Sequence, residues 1–243
     1  MTEKIVAMIP ARYAATRFPA KLMQMLGNKT VIRTTYDNTV DTGLFDEVYV
    51  VTDSDIIFNE ISSNAGKAIM SKSPHESGSD RIAEAVADMD VSIVVNVQGD
   101  EPFVQKQPLE LLLKEFEGFV GAAVQVASLM QVMKDEQFIQ DPNYVKVAVD
   151  KNMNSLMFSR SVIPYQRDKN ISPVYYEHIG VYAFRKEALM SFTNWPISPL
   201  EAAEKVECLR YLENGIPLKM VVTEYMGIEI DTPEDLERAS KLL

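Results

Sequence analysis

The chain has 243 residues, of which 47% are hydrophobic and 24% are charged, and these ordinary values exclude a disordered or membrane-embedded class. Its 24 Lys and Arg against 35 Asp and Glu give a net charge of −11, which disfavours nucleic acid as the main partner. The single cysteine, Cys208, allows no internal disulfide, and we expect neither a leader sequence nor a membrane-inserting segment. Together these features predict a cytoplasmic protein.

Short apolar runs alternate with segments of helical spacing along the first half of the chain. The runs predict buried strands at residues 5–10, 48–51, 93–97, 124–129 and 145–149. Apolar residues on one face predict helices at residues 31–40, 56–65 and 81–89. This alternation predicts a mainly parallel, doubly wound α/β sheet, which binds its ligands beyond the carboxyl ends of its strands.

The alternation breaks in a polar, proline-punctuated stretch at about residues 151–195. We expect residues 1–243 to form a single domain in which this stretch is a smaller excursion. The sequence Ser198-Pro199-Leu200-Glu201 has the form of a capping box and predicts a helix that Gly215 ends.

Three cations follow the first predicted strand within ten residues of one another. Arg12 and Arg17 carry planar guanidinium groups that suit phosphate oxygens, and Lys21 adds a point charge. A solvated basic loop is the alternative interpretation. In an otherwise acidic chain, the cluster favours a phosphate-bearing ligand.

Two carboxylates are predicted at neighbouring strand ends. Asp100 follows the strand at residues 93–97, and Asp231 lies between a strand-like segment at 228–230 and a helix start at Thr232. Converging carboxylates suit Mg²⁺, which binds few protein oxygens and completes its shell with water and phosphate. The alternative for Asp231 is a helix cap.

Several segments resemble one family in detail. Residues 11–21 are similar to the Ala-Arg-x-x-x-Thr-Arg-x-Pro-x-Lys signature of the CMP-Kdo synthetases (Kdo, 3-deoxy-manno-octulosonate), and Asn-Val-Gln-Gly-Asp-Glu-Pro at 96–102 matches their second signature. Segments 75–81, 158–164, 178–182 and 231–237 agree as well. Ala15 and Ala20 depart from the pattern, because similar enzymes commonly carry serine and glycine there; Ala20 would be strained if the turn needs a positive φ.

The resemblance implies a three-layer, Rossmann-like nucleotidyltransferase fold of the nucleotide-diphospho-sugar transferase type, in which the excursion helps to form a homodimer. It implies that the anomeric hydroxyl of Kdo attacks the α-phosphate of CTP and expels pyrophosphate, giving CMP-Kdo for lipopolysaccharide synthesis. It also implies two Mg²⁺ ions, one held by Asp100 and Asp231 and one arriving with CTP.

The same resemblance implies roles for individual residues. The catalytic group comprises Arg12, Arg17, Lys21 and Asp100. The nucleotide contacts comprise Arg12, Lys21, Ser77, Gly78, Ser79 and Arg81. Segment 77–79 would read the pyrimidine by short polar and backbone contacts, and Arg81 is left open as a phosphate contact. Without the resemblance, an ordinary helix-capping turn would be preferred for 77–79.

The acidic sugar needs cations and neutral hydrogen-bonding groups, and the residues matching such family positions are Gln98, Arg160 and His178. Glu204 and Glu207, three apart on the predicted Ser198 helix, would receive sugar hydroxyls or form a solvated acidic face. His75 is left unassigned.

Glu229 replaces a glycine that is common in similar enzymes, and strand alternation places it on the face of Asp231. It would then bind an ammonium group or support the metal from its outer shell, so the 8-amino analogue of Kdo is an alternative substrate. A strand-end glutamate that points to water is the other interpretation.

Two further rivals stay open. The same basic loop would serve transfer to a sialic acid. A non-catalytic nucleotide-binding protein is the rival from another class, and the pair Asp100 and Asp231 beside Lys21 argues against it, because a binder has less need for paired metal carboxylates.

Overall fold

The computed structural model describes residues 3–14, 18–75, 77–224 and 228–243. The strands are β1 Ile5–Ala11, β2 Met25–Leu26, β3 Lys29–Thr30, β4 Glu47–Thr52, β5 Ala68–Met70, β6 Ile93–Asn96, β7 Val126–Met133, β8 Lys146–Val149, β9 Ser155–Ser159, β10 Tyr175–Arg185 and β11 Lys219–Val222. The α-helices are α1 Val31–Asp41, α2 Asp55–Ser62, α3 Gly78–Val86, α4 Lys106–Lys114, α5 Gly118–Gly121, α6 Glu136–Gln140, α7 Lys186–Asn194, α8 Pro199–Glu204, α9 Leu209–Glu213 and α10 Pro233–Ser240. A 3₁₀ turn covers Lys21–Met23.

The chain divides into two compact units. The first contains the described residues up to Glu110 together with those from 228 to Leu243, and the second contains the described residues from Leu111 to 224. The predicted excursion at 151–195 lies within the second unit. A single domain over residues 1–243 stays a prediction.

Parallel strands form the sheet of the first unit, in the order β6, β1, β4, β5. The strands that flank β1 hold it in continuous register, from Ile5 opposite Ile93 to Ala11 opposite Thr52. Strands with two buried faces carry runs of apolar residues, as β6 does from Ile93 to Val95, with Val94 and Val95 fully buried. Because these strands are parallel, the residues that follow β1, β4, β5 and β6 meet at one edge of the sheet.

The helices of the first unit pack on these strands, with α1 and α2 against β4 and α3 against β1. Helix α1 begins at the Thr30 side chain, which accepts a hydrogen bond from Arg33 N. The strand and helix predictions for this part of the chain are confirmed within a few residues, except that α3 begins at Gly78 rather than at residue 81.

The sheet of the second unit is mixed. Strand β7 pairs with β11 in parallel and with β10 in antiparallel orientation, and β8 pairs antiparallel with both β10 and β9. The register between β10 and β7 shifts between Ile179 and Tyr182. The regular pairing of the two strands is therefore interrupted directly after His178.

Two expectations are wrong. The capping box at Ser198 is present, but the helix it begins ends at Glu204, because Lys205 adopts a left-handed conformation with φ 55°, and α9 starts only at Leu209. Residues 228–230 are not a strand. Cys208, the residue before α9, is a buried free thiol. Among the described residues, no helix is long and apolar enough to cross a membrane.

Candidate active site

A cavity of about 230 Å³ opens at the carboxyl edge of the first unit's sheet. Its walls come from the end of β1 and the segment after it, from the segment that follows β6, and from the start of α3 with the residues before it. The lining residues are Pro10, Ala11, Arg12, Lys21, Leu22, His75, Ser77, Gly78, Arg81, Gln98, Gly99 and Asp100. The structure thus brings Arg12, Lys21, Ser77, Gly78, Arg81, Gln98 and Asp100 together as the sequence predicts.

Lys21 links the two predicted metal carboxylates. Its Nζ lies 2.5 Å from Asp100 Oδ2 and 2.6 Å from Asp231 Oδ1, and all three side chains are at most 23% exposed. Burial by itself would lower the pKa of Lys21, but the charges of Asp100 and Asp231 and their hydrogen bonds raise it. The ammonium therefore stays charged and occupies the place of a cation between two carboxylates.

A backbone hydrogen bond brings the C-terminal carboxylate to the β6 loop. Ile230, which is fully buried, donates from its N to Asp100 O at 2.9 Å. Asp231 follows at once, and the cap of α10 is supplied by Thr232, whose side chain accepts from Asp235 N. Asp231 is therefore not the cap residue, and its carboxylate is directed to Lys21.

Two side chains of α1 donate hydrogen bonds to the loop after β6. Thr35 Oγ1 donates to Gly99 O at 2.9 Å, and Asn38 Nδ2 donates to Pro102 O at 2.6 Å. A Cβ atom at Gly99 would lie 3.1 Å from Pro10 O and 3.2 Å from Ile32 Cδ1, which is tighter than ordinary van der Waals contact. Glycine lets this loop approach β1 closely and so fixes the position of Asp100.

The turn before Lys21 is strained at Ala20. This residue has φ 52° and ψ 32°, a left-handed conformation in which glycine is the favoured residue. The expectation that Ala20 would be strained is therefore confirmed. Ala15 and Arg17 lie outside the described residues.

Glu229 extends the acidic pair into a cluster. One carboxylate oxygen from each of Asp100, Glu229 and Asp231 lies within 4.8 Å of the others, although Glu229 is exposed. The hard oxygen ligands of this set fit Mg²⁺. Sequence reasoning gave no role to Glu101, yet burial and the charges of Asp100 and Glu229 raise its pKa to about 8.

The start of α3 supplies the predicted nucleotide residues. Ser77 is the helix cap, since its Oγ accepts from Asp80 N at 3.1 Å. Arg81 is 5% exposed and donates to Ser71 Oγ at 2.9 Å and Asp53 Oδ2 at 2.8 Å. Ser79 is 1% exposed and is not among the described residues that line the cavity. A nucleotide contact by Ser79 stays a prediction.

Four predicted sugar residues lie in the second unit. Glu204 accepts from Ser159 Oγ at 2.7 Å and from Arg160 N at 2.9 Å, and the Arg160 bond is the main reason that its pKa is lowered. Arg160 in turn donates to Glu204 O and Pro142 O. Glu204 therefore does not belong to a solvated acidic face. Glu207 lies between α8 and α9, not on the same helix as Glu204 as predicted.

His178 is surrounded by aromatic rings. Its ring centroid lies 4.9 Å from that of Phe158 and 5.4 Å from that of Tyr182, and Nε2 lies 3.0 Å from Ser128 Oγ. Burial lowers its pKa to about 3. His178 is thus neutral near pH 7 and suits a hydrogen-bonding role rather than that of a cation.

Sequence reasoning left an ionisable residue of the cavity wall, His75, without a role. His75 lines the cavity, and its Nε2 lies 2.8 Å from Glu84 Oε2 on α3. The nine-residue separation of the pair was the only sequence signal, and such a separation is too common to indicate a contact.

Cations and paired carboxylates at the carboxyl edge of a parallel α/β sheet define a site of the nucleotidyltransferase class. A model of the family described as Cytidylyltransferase matches residues 6–238, and the chain belongs to this family.

Curated relatives extend over nearly the whole chain. A 3-deoxy-manno-octulosonate cytidylyltransferase from Flavobacterium johnsoniae is 61% identical over 99% of this chain and 98% of its own length. A 3-deoxy-manno-octulosonate cytidylyltransferase from Christiangramia forsetii is 58% identical over 99% of this chain and 97% of its own length.

Solved structures agree with the fold prediction. A CMP:2-keto-3-deoxy-manno-octonic acid synthetase in complex with CTP has a TM-score of 0.93 and 34% identity, with 98% of both chains covered. A 4-diphosphocytidyl-2C-methyl-D-erythritol synthase from Anaerococcus prevotii, with a TM-score of 0.63 and 18% identity over 99% of this chain and 98% of its own, shares the fold. The α/β nucleotidyltransferase fold is confirmed.

Proposed function

We propose that the protein transfers the cytidylyl group of CTP to 3-deoxy-manno-octulosonate, with release of pyrophosphate. The observation that carries the proposal is the Lys21 ammonium bridging Asp100 and Asp231 at the mouth of a cavity that also contains Arg12. The names of the relatives at 61% and 58% identity support both the nucleotide and the sugar. The carboxylates of Asp100 and Asp231 also argue against a non-catalytic nucleotide-binding protein, which has less need for a metal-binding pair.

The reaction joins the anomeric hydroxyl oxygen of the sugar to the α-phosphorus of CTP and breaks the bond to the pyrophosphate oxygen. Negative charge develops on the α-phosphate and on the leaving group. Arg12 and Lys21 line the cavity and are suited to stabilise that charge. Arg17 would add a third cation.

Asp100, Asp231 and Glu229 are the residues that would hold Mg²⁺, because their oxygens already lie within 4.8 Å of one another. When bound, Mg²⁺ would neutralise charge on the triphosphate and lower the pKa of the attacking hydroxyl. Lys21 stabilises the carboxylates at short range. A second ion arriving with CTP belongs to the same proposal.

Glu229 favours a second candidate substrate, the 8-amino analogue of Kdo. Its carboxylate belongs to the acidic cluster although the residue is exposed, so an ammonium group on the substrate would find a partner there. Comparing kcat/KM for Kdo and the amino sugar in wild type and Glu229→Gly tests this. If the ratio of kcat/KM for Kdo to that for the amino sugar favours Kdo equally in both proteins, the amino sugar is rejected as the substrate.

The experiment for the main proposal measures pyrophosphate release from CTP with Kdo, its 8-amino analogue or a sialic acid, each with Mg²⁺. Asp100→Asn, which keeps the shape of the side chain, is expected to abolish release. Asp37→Asn is the matched control, because Asp37 pairs with Lys29 and Arg33 and does not line the cavity among the described residues. CTP binding without release for any sugar would favour the non-catalytic protein.

The cellular setting belongs to the same proposal. A homodimer, a cytoplasmic location and supply of CMP-Kdo to lipopolysaccharide synthesis are expected from the family resemblance. Sedimentation at several protein concentrations tests the homodimer, and a single species at the mass of one chain would reject it.

A further inference from the structure

His75 and Glu84 form a pair in the wall of the candidate nucleotide cavity. The Nε2 atom of His75 lies 2.8 Å from Glu84 Oε2, and the two side chains are 15% and 21% exposed. His75 lines the cavity beside Ser77 and Gly78, whereas Glu84 is not among the described residues of its lining. Glu84 therefore acts on the cavity only through the imidazole ring.

Glu84 fixes the hydrogen-bonding state of that ring. Its other oxygen, Oε1, accepts from Lys72 N at 2.6 Å. Burial would raise the pKa of Glu84, but the hydrogen bonds from Lys72 N and His75 outweigh it and lower the pKa. An ionised carboxylate only accepts hydrogen bonds. When the imidazole is neutral, its proton is therefore on Nε2, and Nδ1 is left as an acceptor.

The geometry points to a base-reading role for this acceptor, and this inference rests on the proposed function. We propose that His75 Nδ1 accepts a hydrogen bond from the 4-amino group of cytosine and that Glu84 is the positioning residue that sets the tautomer. Cytosine presents a donor at its 4-position, whereas a 4-keto pyrimidine such as uracil presents an acceptor there. The same ring would then repel UTP.

The distribution of charge in the cavity favours a contact of His75 with the base rather than with the phosphates. Phosphate oxygens are acceptors and need donors, which Arg12 and Lys21 supply. A ring that offers an acceptor is unsuited to phosphate. Beside His75, Gly78 packs closely against Pro10, because a Cβ atom at Gly78 would lie 3.1 Å from Pro10 Cγ.

The test compares binding of three nucleotides by calorimetry, without sugar and at about pH 8.5, where free imidazole is neutral. The nucleotides are CTP, UTP and the triphosphate of pyrimidin-2-one riboside, which lacks the 4-amino group. The proteins are wild type, His75→Ala, Glu84→Gln and the control Glu110→Gln, which changes an exposed carboxylate of α4.

We expect His75→Ala to lower the ratio of CTP to UTP affinity at least about tenfold, the effect of one lost discriminating hydrogen bond. Removing the 4-amino group should weaken binding to wild type but not to His75→Ala, because the two deletions remove one contact. Glu84→Gln offers an amide donor to Nε2, which moves the proton to Nδ1 and shifts the preference toward UTP. Glu110→Gln should match wild type.

An unchanged ratio of CTP to UTP affinity in His75→Ala would overturn the inference. If both affinities also fell by the same factor, the result would indicate that His75 contacts phosphate. If His75→Ala does not fold, the Glu84→Gln ratio carries the test. Failure of the proposed function has a different signature, since wild type would then release no pyrophosphate from CTP and Kdo whatever base it prefers.

Discussion

Replacing His178 by glutamine should remove a pH-dependent loss of stability. Ser128 Oγ has one proton, which is directed to the carbonyl oxygens of Ile179 at 3.1 Å and Val181 at 2.9 Å. Nε2 of His178 must therefore donate to Ser128 Oγ. A glutamine amide nitrogen can make the same hydrogen bond but cannot take up a proton.

The magnitude follows from the shift in pKa. An unfolded histidine has a pKa of 6.5, and His178 in the folded protein has one of about 3. As the pH falls below 6.5, the unfolded chain binds a proton that the folded protein does not, so stability is lost on acidification and is fully present above 6.5. From about pH 7.5 to about pH 5, the loss is about 2 kcal/mol in the free energy of unfolding.

Urea unfolding of both proteins at several pH values measures this loss. Other groups also titrate, among them Glu177, whose pKa is raised by burial and whose contribution has the opposite sign. Subtracting the His178→Gln curve from the wild-type curve cancels them. Parallel curves between pH about 5 and about 7.5 would refute the neutral, desolvated His178, because linkage requires a difference there.

Three further predictions concern residues fixed by geometry. Ala20→Gly should raise the free energy of unfolding by about 0.5–1 kcal/mol in urea titration, because φ 52° favours glycine; an unchanged value would contradict strain at this turn. Arg210→Leu should lower the free energy of unfolding by about 3–5 kcal/mol. Glu201, which is 8% exposed, would lose two hydrogen bonds from the Arg210 guanidinium, at 2.7 Å from Nε and 2.6 Å from Nη2. Replacing both partners by apolar residues should recover most of the loss. Lys21→Met should lower kcat at least about 100-fold. It should also enlarge the rise in Tm on adding Mg²⁺, measured by calorimetry, because Asp100 loses its ammonium partner and binds the ion more strongly. An unchanged effect of Mg²⁺ on Tm would argue against a metal in the cluster.

The local pattern of apolar and polar residues predicted the strands and helices of the first unit well. Apolar runs such as β6 and amphipathic segments such as α1 are properties of neighbouring residues, and the parallel order follows from their alternation. The same reasoning failed at Lys205, where a left-handed residue that is not glycine ends α8. Nothing in the local sequence marks that break.

The carboxylate pair was predictable, but its contact with Lys21 was not. The two hydrogen bonds of Lys21 join residues 79 and 210 positions apart, so only the tertiary fold establishes them. The motif around Asp100 still identified the correct edge of the sheet. For Glu204, helical spacing left open a sugar contact or a solvated acidic face. In the fold its carboxylate accepts hydrogen bonds from Ser159 and Arg160, which are 45 and 44 positions away in the sequence.

The charge of the acidic cluster connects these observations. Asp100, Glu229 and Asp231 supply three carboxylates, and Lys21 supplies one ammonium, so two negative charges remain uncompensated when all four groups are ionised. One divalent cation would balance them, whereas a triphosphate alone would be repelled. The cluster therefore favours arrival of CTP together with Mg²⁺ over arrival of free CTP. On the proposed function, this order would let a chain of net charge −11 bind a polyanion at an acidic edge, where the cavity wall also contains the cations Arg12 and Arg81.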